Sequence, residues 1–137
     1  MALILQEVPL KYIHNVWPYV ESFLSAAIKH AEGEITLEEA KVHCTQGGWI
    51  LLVAVDEENK IHGAATFYCF NRINDRVAFI TTMGGRGVVT PEVYSQLETI
   101  ARNHGATCIE GVVRDSMLRF MARFGAKKKT ATFQITL

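Results

Sequence analysis

The stretch from Val77 to Ala126 reads as strand, glycine loop, helix, strand, helix, and no other part of the chain restricts the fold so strongly. Val77-Ala-Phe-Ile-Thr-Thr-Met83 is rich in β-formers, and Gly84-Gly85-Arg86-Gly87 interrupts it. Thr90-Pro91-Glu92 then carries the marks of a helix start: a capping hydroxyl, proline at the first helical position and an acid in the first turn. The spacing predicts a helix from Pro91 to His104, with Val93, Leu97, Ile100 and Ala101 facing a core and Gly105 as a left-handed stop. Ala106 to Val113 is again strand-like. Met117, Phe120, Met121 and Phe124 follow at i, i+3, i+4 and i+7, closing on Gly125. Two strands joined through a helix are expected to be parallel neighbours linked by a right-handed crossover, with the first loop opening at its strand's carboxyl end. The two strands are expected to part just past Met83, making a slot for a ligand.

Ahead of this unit, Ala2 to Val8 is an apolar run stopped by Pro9, as in an edge strand. Ile13, Val16, Trp17, Val20, Phe23, Leu24, Ala27 and Ile28 repeat at helical spacing. Pro18 falls inside that run, so the helix is either kinked there or starts near Trp17 after a short turn, and Gly33 ends it. Thr36-Leu37-Glu38-Glu39 has the form of a capping box and predicts a second helix ending at Gly47-Gly48. Trp49 to Val55 is nearly all apolar, as in a strand covered on both faces. Asp56 to Lys60 is a turn, Ile61 to Phe70 a third strand, and Asn74-Asp75 a hairpin turn. After Gly125, Lys129 to Leu137 alternates apolar and polar residues and predicts a half-exposed final strand. The order β-α-α-β-β-β-α-β-α-β describes a three-layer α/β (α+β) domain: a mixed, mostly antiparallel sheet with helices on both faces.

A chain of 137 residues makes one domain, 1–137, with a substantial core. Its 14 basic residues balance 14 acidic ones, so no net field draws it to nucleic acid or an anionic membrane. Lys127-Lys128-Lys129 is the one basic run and reads as a solvated start to the final strand. No apolar run reaches the roughly 20 residues of a membrane span, and no basic-then-apolar leader is present, so a soluble cytoplasmic protein is expected. Cys44, Cys69 and Cys108 are odd in number and sit in or beside apolar segments, as buried thiols do. The histidines are scattered, and His43 beside Cys44 lacks the spacing of a zinc site. No metal is expected.

The element order resembles the GNAT fold, that of the GCN5-related N-acetyltransferases, over essentially the whole chain. Leu97-Glu98-Thr-Ile-Ala101-Arg102-Asn-His-Gly105 is similar to the family's central helix. Arg123-Phe124-Gly125-Ala126 stands where the family has a basic residue, an apolar one, glycine and an aromatic. Val16-Trp17-Pro18, the step from Gly33 to Thr36, Gly84-Gly85-Arg86-Gly87, and Arg114 followed by Arg119 resemble more narrowly the small GNAT-like proteins of tailed phages and prophages. The family resemblance implies acetyl-CoA lying between the fourth and fifth strands. Its pyrophosphate would be held by backbone N–H groups of a Gln/Arg-x-x-Gly-x-Gly/Ala loop at a helix N-terminus. The amine would attack the thioester directly, with a base acting on it and commonly a tyrosine protonating the thiolate.

Carried onto this chain, the resemblance puts Met83, Gly84, Gly85, Arg86, Gly87 and Val88 at the cofactor, with Arg114 holding an anionic group or pairing with Asp115 or Glu110. The chain also departs from the pattern. The glycines stand a few residues ahead of the family's loop positions, which fall near Val88 to Thr90. Pro91 removes an N–H from the phosphate-facing turn and Glu92 adds a negative charge, as suits a self-capped helix. Met121 occupies the tyrosine's usual position and donates no proton. Tyr94, one residue off the apolar stripe, either packs or reaches the cleft as a catalytic group. Glu110 is the candidate base, if a central strand buries it and raises its pKa; the alternative is a paired structural charge. Thr81, Thr82 and Cys69 reach the cleft by strand alternation. Gly111 marks either a close ligand or a local opening between strands.

Two functions stay open. One is an acetyl-CoA-dependent N-acyltransferase acting on a small-molecule or peptide amine. The other is a catalytically degenerate GNAT-shaped protein of phage assembly, the virion or host interaction, located in the bacterial host or the particle. An exposed final strand also leaves room for a homo-oligomer.

Overall fold

The computed structural model describes residues 2–29, 35–113, 115–129 and 133–137. One sheet runs in the order β1 (Ile4–Glu7), β2 (Ile50–Val55), β3 (Ile61–Asn71), β4 (Arg76–Gly84) and β5 (Cys108–Gly111). The first four strands are antiparallel, and β5 joins β4 in parallel. Helices α1 (Ile13–Ile28) and α2 (Leu37–Thr45) pack on one face. Helix α3 (Pro91–Asn103) packs on the other, with α4 (Asp115–Met121) beside it. The mixed sheet with helices on both faces is the expected architecture.

Strand β2 shows why its sequence is apolar without alternation. Leu51, Val53 and Val55 enter the core under α1 and α2, while Leu52 enters the core under α3, and all four are buried. A central strand has two dry faces, so both parities must be apolar.

Helix α1 buries Ile13, Trp17, Val20 and Leu24 along one stripe. It begins at Ile13, after a 3-10 turn at Leu10–Tyr12, and so earlier than a start near Trp17. Pro18 is tolerated inside because it lies on the exposed side, as does His14, whose carbonyl loses its helical donor. Gly33, the expected stop, lies outside the described residues. Thr36 caps α2 by accepting the Glu39 N–H at 3.1 Å, as the capping box requires. Burial pushes the Cys44 thiol up to about 11.

Gln96, on α3, accepts the N–H of Leu5 at 2.7 Å and donates to the carbonyl of Leu3 at 3.0 Å. Its amide thus satisfies backbone groups of β1 that an edge strand would leave open. No helix among the described residues is long and apolar enough to cross a membrane.

The carboxyl-terminal part differs from the sequence expectation. β5 ends at Gly111, and Val112 and Val113 are exposed. Of the expected final strand, Thr130, Ala131 and Thr132 lie outside the described residues. Residues 133–137 join no strand among the described residues, with Phe133 80% and Ile135 72% exposed. Alternation favours an extended backbone but does not supply a partner, and a strand exists only where another strand accepts its hydrogen bonds.

Candidate functional site

The parallel pair β4 and β5 is registered from Val77 against Cys108 to Ile80 against Gly111, and there it stops. β4 continues through Gly84 with no partner on that side among the described residues. The opening therefore starts at Ile80, ahead of the expected point past Met83, and a bulge accounts for the shift. Thr66 pairs with Thr82 but Phe67 pairs with Ile80, which leaves Thr81 as an extra residue in β4. A bulge bends its strand and ends regular pairing. Here it also breaks side-chain alternation, so the hydroxyls of both Thr81, at 2.6 Å, and Thr82 reach Oγ1 of Thr66. Thr81 additionally donates to the Thr66 carbonyl at 3.0 Å. Adjacent threonines opposite a third one were the only sequence signal of this arrangement. Gly111 marks the end of pairing, and a Cβ there would meet only ordinary contacts. Cys69 packs into the core under α3, not at the opening.

The loop from Gly84 to Thr90 leaves β4 at this opening and enters α3. Gly84 and Gly85 are required by packing. A Cβ on Gly84 would collide with the Phe23 carbonyl of α1, and one on Gly85 would lie 2.7 Å from the His62 carbonyl of β3. Gly87 differs: its φ is +67° and nothing lies within 4 Å of the Cβ position, so its outer side is open to an approaching group. Val88 is buried and pins the loop against Gly63. Among the described residues, the amides of Gly85 to Val89 donate to no protein acceptor. Arg86 is exposed and forms no ion pair among them. At the helix start, Thr90 accepts the Val93 N–H at 3.2 Å, with Pro91 and Glu92 in the first turn, so α3 caps itself as its sequence implied. Among the described residues, the backbone N–H groups without a protein acceptor thus lie in the loop ahead of the helix and, within its first turn, at Glu92.

A groove of about 260 Å³ runs between α3, β5 and the turn after α4, lined by Tyr94, Glu98, Arg102, Cys108, Met121 and Phe124 among others. A narrower apolar gap of about 70 Å³ under α3 shares Tyr94, Ile109 and Met121 with it and reaches Met83, Gly84 and Val88. Tyr94, Met83, Gly84 and Val88 therefore come together, with Gly85, Arg86 and Gly87 on the adjoining loop. The Tyr94 ring stacks on Phe124 at 4.7 Å. Its phenol pKa is raised, first by burial and then by the charge of Glu98, against the opposing effect of Arg102. The hydroxyl stays protonated at neutral pH. Met121 forms part of the groove wall.

Glu110 is not brought into this groove. Ile109 points into the core under α3, so the neighbouring Glu110 projects from the opposite face of β5. Glu110 Oε2 accepts hydrogen bonds from Arg72 and, at 3.0 Å, from Lys129. The Arg72 hydrogen bond, aided by Lys129, holds its carboxyl below the ordinary range although burial pushes the other way. Of the two readings of Glu110, these contacts fit the paired charge and not a base of raised pKa, and the partners are Arg72 and Lys129. Arg114 lies outside the described residues.

No family model matches the chain, and no curated protein matches it in sequence. Solved structures do. An aminoglycoside acetyltransferase from an uncultured soil metagenomic sample is similar at a TM-score of 0.71 and 12% identity, over 100% of this chain and 99% of that one. A putative acetyl transferase from Pyrococcus furiosus is similar at 0.68 and 14%, over 99% and 100%. Glucosamine-6-phosphate N-acetyltransferase from Arabidopsis thaliana is similar at 0.63 and 12%, over 99% of both chains. Together with the parted parallel strands, these likenesses show that the chain has the GNAT fold, shared along its whole length with acetyltransferases.

Proposed function

We propose that the cleft binds acetyl-CoA and that the protein is an N-acyltransferase acting by direct transfer to an amine. The observation that carries this reading is the row of unpartnered amides from Gly85 to Val89, set beside the point where β4 and β5 separate. Free backbone N–H groups ahead of a helix stabilise a phosphate without a matching charge in the protein, and Arg86 adds one from the same loop. Gly87 leaves room for close approach. Met83, Val88 and Tyr94 offer apolar surface to the chain that follows the phosphates. A bound acyl thioester would supply the electrophilic carbonyl. The protein's part is to orient it and to hold a proton on the Tyr94 hydroxyl for a departing thiolate. Glu110 is already ionised and shared by two cations, which leaves a water as the base. Titration calorimetry with acetyl-CoA tests the reading: saturable heat is expected, weakened about tenfold or more in Arg86→Ala by loss of a charged hydrogen bond. No heat at millimolar cofactor would remove it.

A second reading is favoured by Met121 at the usual place of the acid and by the ion-paired state of Glu110. In it the fold is retained without turnover, in the assembly, virion or host-interaction role that the phage resemblance implies. Acetyl-CoA binding with no thiol release on any amine supports this second reading, and turnover on one amine excludes it.

A further inference from the structure

We propose that the acyl acceptor is a primary amine carried on a short alkyl arm from an aromatic ring, and that it docks on a shelf formed by Tyr68, Phe70 and Phe79. The inference rests on the reading of the cleft as an acyl-transfer site and names the substrate of that site. Phe67 and Cys69 of β3 and Ala78 and Ile80 of β4 enter the core under α3, so Tyr68, Phe70 and Phe79 stand on the opposite face of the sheet. On that face α1 meets the sheet at Ala64 and Gly84, and none of the three rings joins either hydrophobic core. They form a partly exposed cluster of their own, with centroids 5.7 Å from Tyr68 to each of the others and 6.4 Å between Phe70 and Phe79.

The shelf adjoins the point where the strands part. Phe79 is registered with Tyr68 on one side and with Glu110 on the other, and the next pair, Ile80 with Gly111, is the last before the opening. The groove and the apolar gap lie on the α3 side, so an acceptor reaches a thioester carbonyl held between the strands from the other face, across these rings. Two contacts within the chain show what this surface holds. The flat Arg72 guanidinium lies 5.0 Å from the Phe70 ring centroid, as a planar cation does over an aromatic face. The Lys129 ammonium lies 3.0 Å from Glu110 Oε2 on a side chain that is 55% exposed, so an incoming primary ammonium can take its place. Neighbouring strands stand about 4.8 Å apart, so an arm of about two carbons joins a ring over Phe79 to an ammonium at Glu110. Arg72 and Lys129 outweigh the one carboxylate, which disfavours a ligand with several positive charges. Transfer forms the amide N–C bond and breaks the C–S bond. The ammonium loses two protons to water, one of which returns through the Tyr94 hydroxyl to the departing thiolate.

Protein-observed NMR of the full chain tests this with three probes: phenethylamine, 2-phenylethanol, which keeps the ring and arm, and spermidine, a polycation without a ring. Phenethylamine should bind saturably and shift the signals of Tyr68, Phe79 and Glu110, and the other two should bind at least about tenfold more weakly. Tyr68→Leu should weaken phenethylamine about tenfold, while Tyr19→Leu, at an exposed ring of α1, leaves its affinity unchanged; the amide spectra report that both variants fold. No shift at millimolar phenethylamine, equal binding of 2-phenylethanol or spermidine, or an affinity that Tyr68→Leu leaves intact would each overturn the proposal. Calorimetry with acetyl-CoA on the same preparations separates the two ideas. Cofactor heat without amine binding removes the acceptor assignment alone. Amine binding without cofactor heat overturns the acyl-transfer reading, and with it the acceptor role, and leaves the shelf as an amine site.

Discussion

The carbonyl oxygen of Phe23, in α1, occupies the space that a Cβ on Gly84 would need, so the backbone of the helix and the end of β4 touch directly. The contact seats the start of the loop against the helix layer. Replacing Gly84 by alanine should force backbone movement and destabilise the protein by about 2–3 kcal/mol, as overpacking does. Gly87→Ala meets open space but a left-handed φ and should cost about 1 kcal/mol. Urea unfolding of the two variants should give this order. Equal losses would mean that the close approach at Gly84 is not what the position requires.

Thr66 anchors the bulge through its hydroxyl, which serves both Thr81 and Thr82 inside the sheet. Thr66→Val keeps the shape and removes the shared partner, leaving Thr82, which is 6% exposed, short of a hydrogen bond. A loss of about 1–3 kcal/mol is expected from this unsatisfied group. If the bulge also sets where β4 and β5 separate, acetyl-CoA affinity should fall in the same variant. Chemical denaturation and calorimetry measure the two effects separately.

Tyr94→Phe retains the ring stacked on Phe124 and deletes only the hydroxyl. As the proton donor of the groove, Tyr94 would leave acetyl-CoA affinity unchanged on this substitution while kcat drops about a hundredfold or more. An unchanged kcat in an active preparation would assign the residue to packing.

Glu110 carries a pH signature. Its folded-state pKa lies below the unfolded value because of Arg72 and Lys129, so its stabilising contribution is complete above an unfolded pKa of about 4.3. That contribution disappears as pH falls through the lower folded value. Glu110→Gln should therefore be less stable than the parent at pH 7, and the difference should shrink progressively below about pH 4. Thermal melts at the two pH values check the sign, and a difference that grows on acidification would contradict the ion-pair assignment.

Much of the fold was readable along the chain because the responsible interactions are local. The hydroxyls of Thr36 and Thr90 cap helices through N–H groups three residues ahead, and Gly105 and Gly125 adopt the left-handed φ expected at helix ends. Ala101, Leu97 and Ile100 follow the helical period into the core. The loop of Met83 to Val88 was legible for the same reason, as a break between a β-rich run and a capped helix. The role of each loop glycine was not. Gly84 and Gly85 answer to Phe23 and His62, which come from other elements, while Gly87 faces open space.

The order of the elements as far as α4, the caps of α2 and α3 and the position of the glycine loop follow from residues within a turn or two of each other, so the amino-acid string was enough for them. The partner of Glu110 stands 38 residues away, at Arg72. The stack of Tyr94 on Phe124, the bulge at Thr81 and the early end of β5 likewise join segments that meet only after the sheet has formed. Such contacts depend on strand register and on how helices settle across it. A one-residue slip in register turns side chains to the opposite face, and no local pattern records which register the packed sheet adopts.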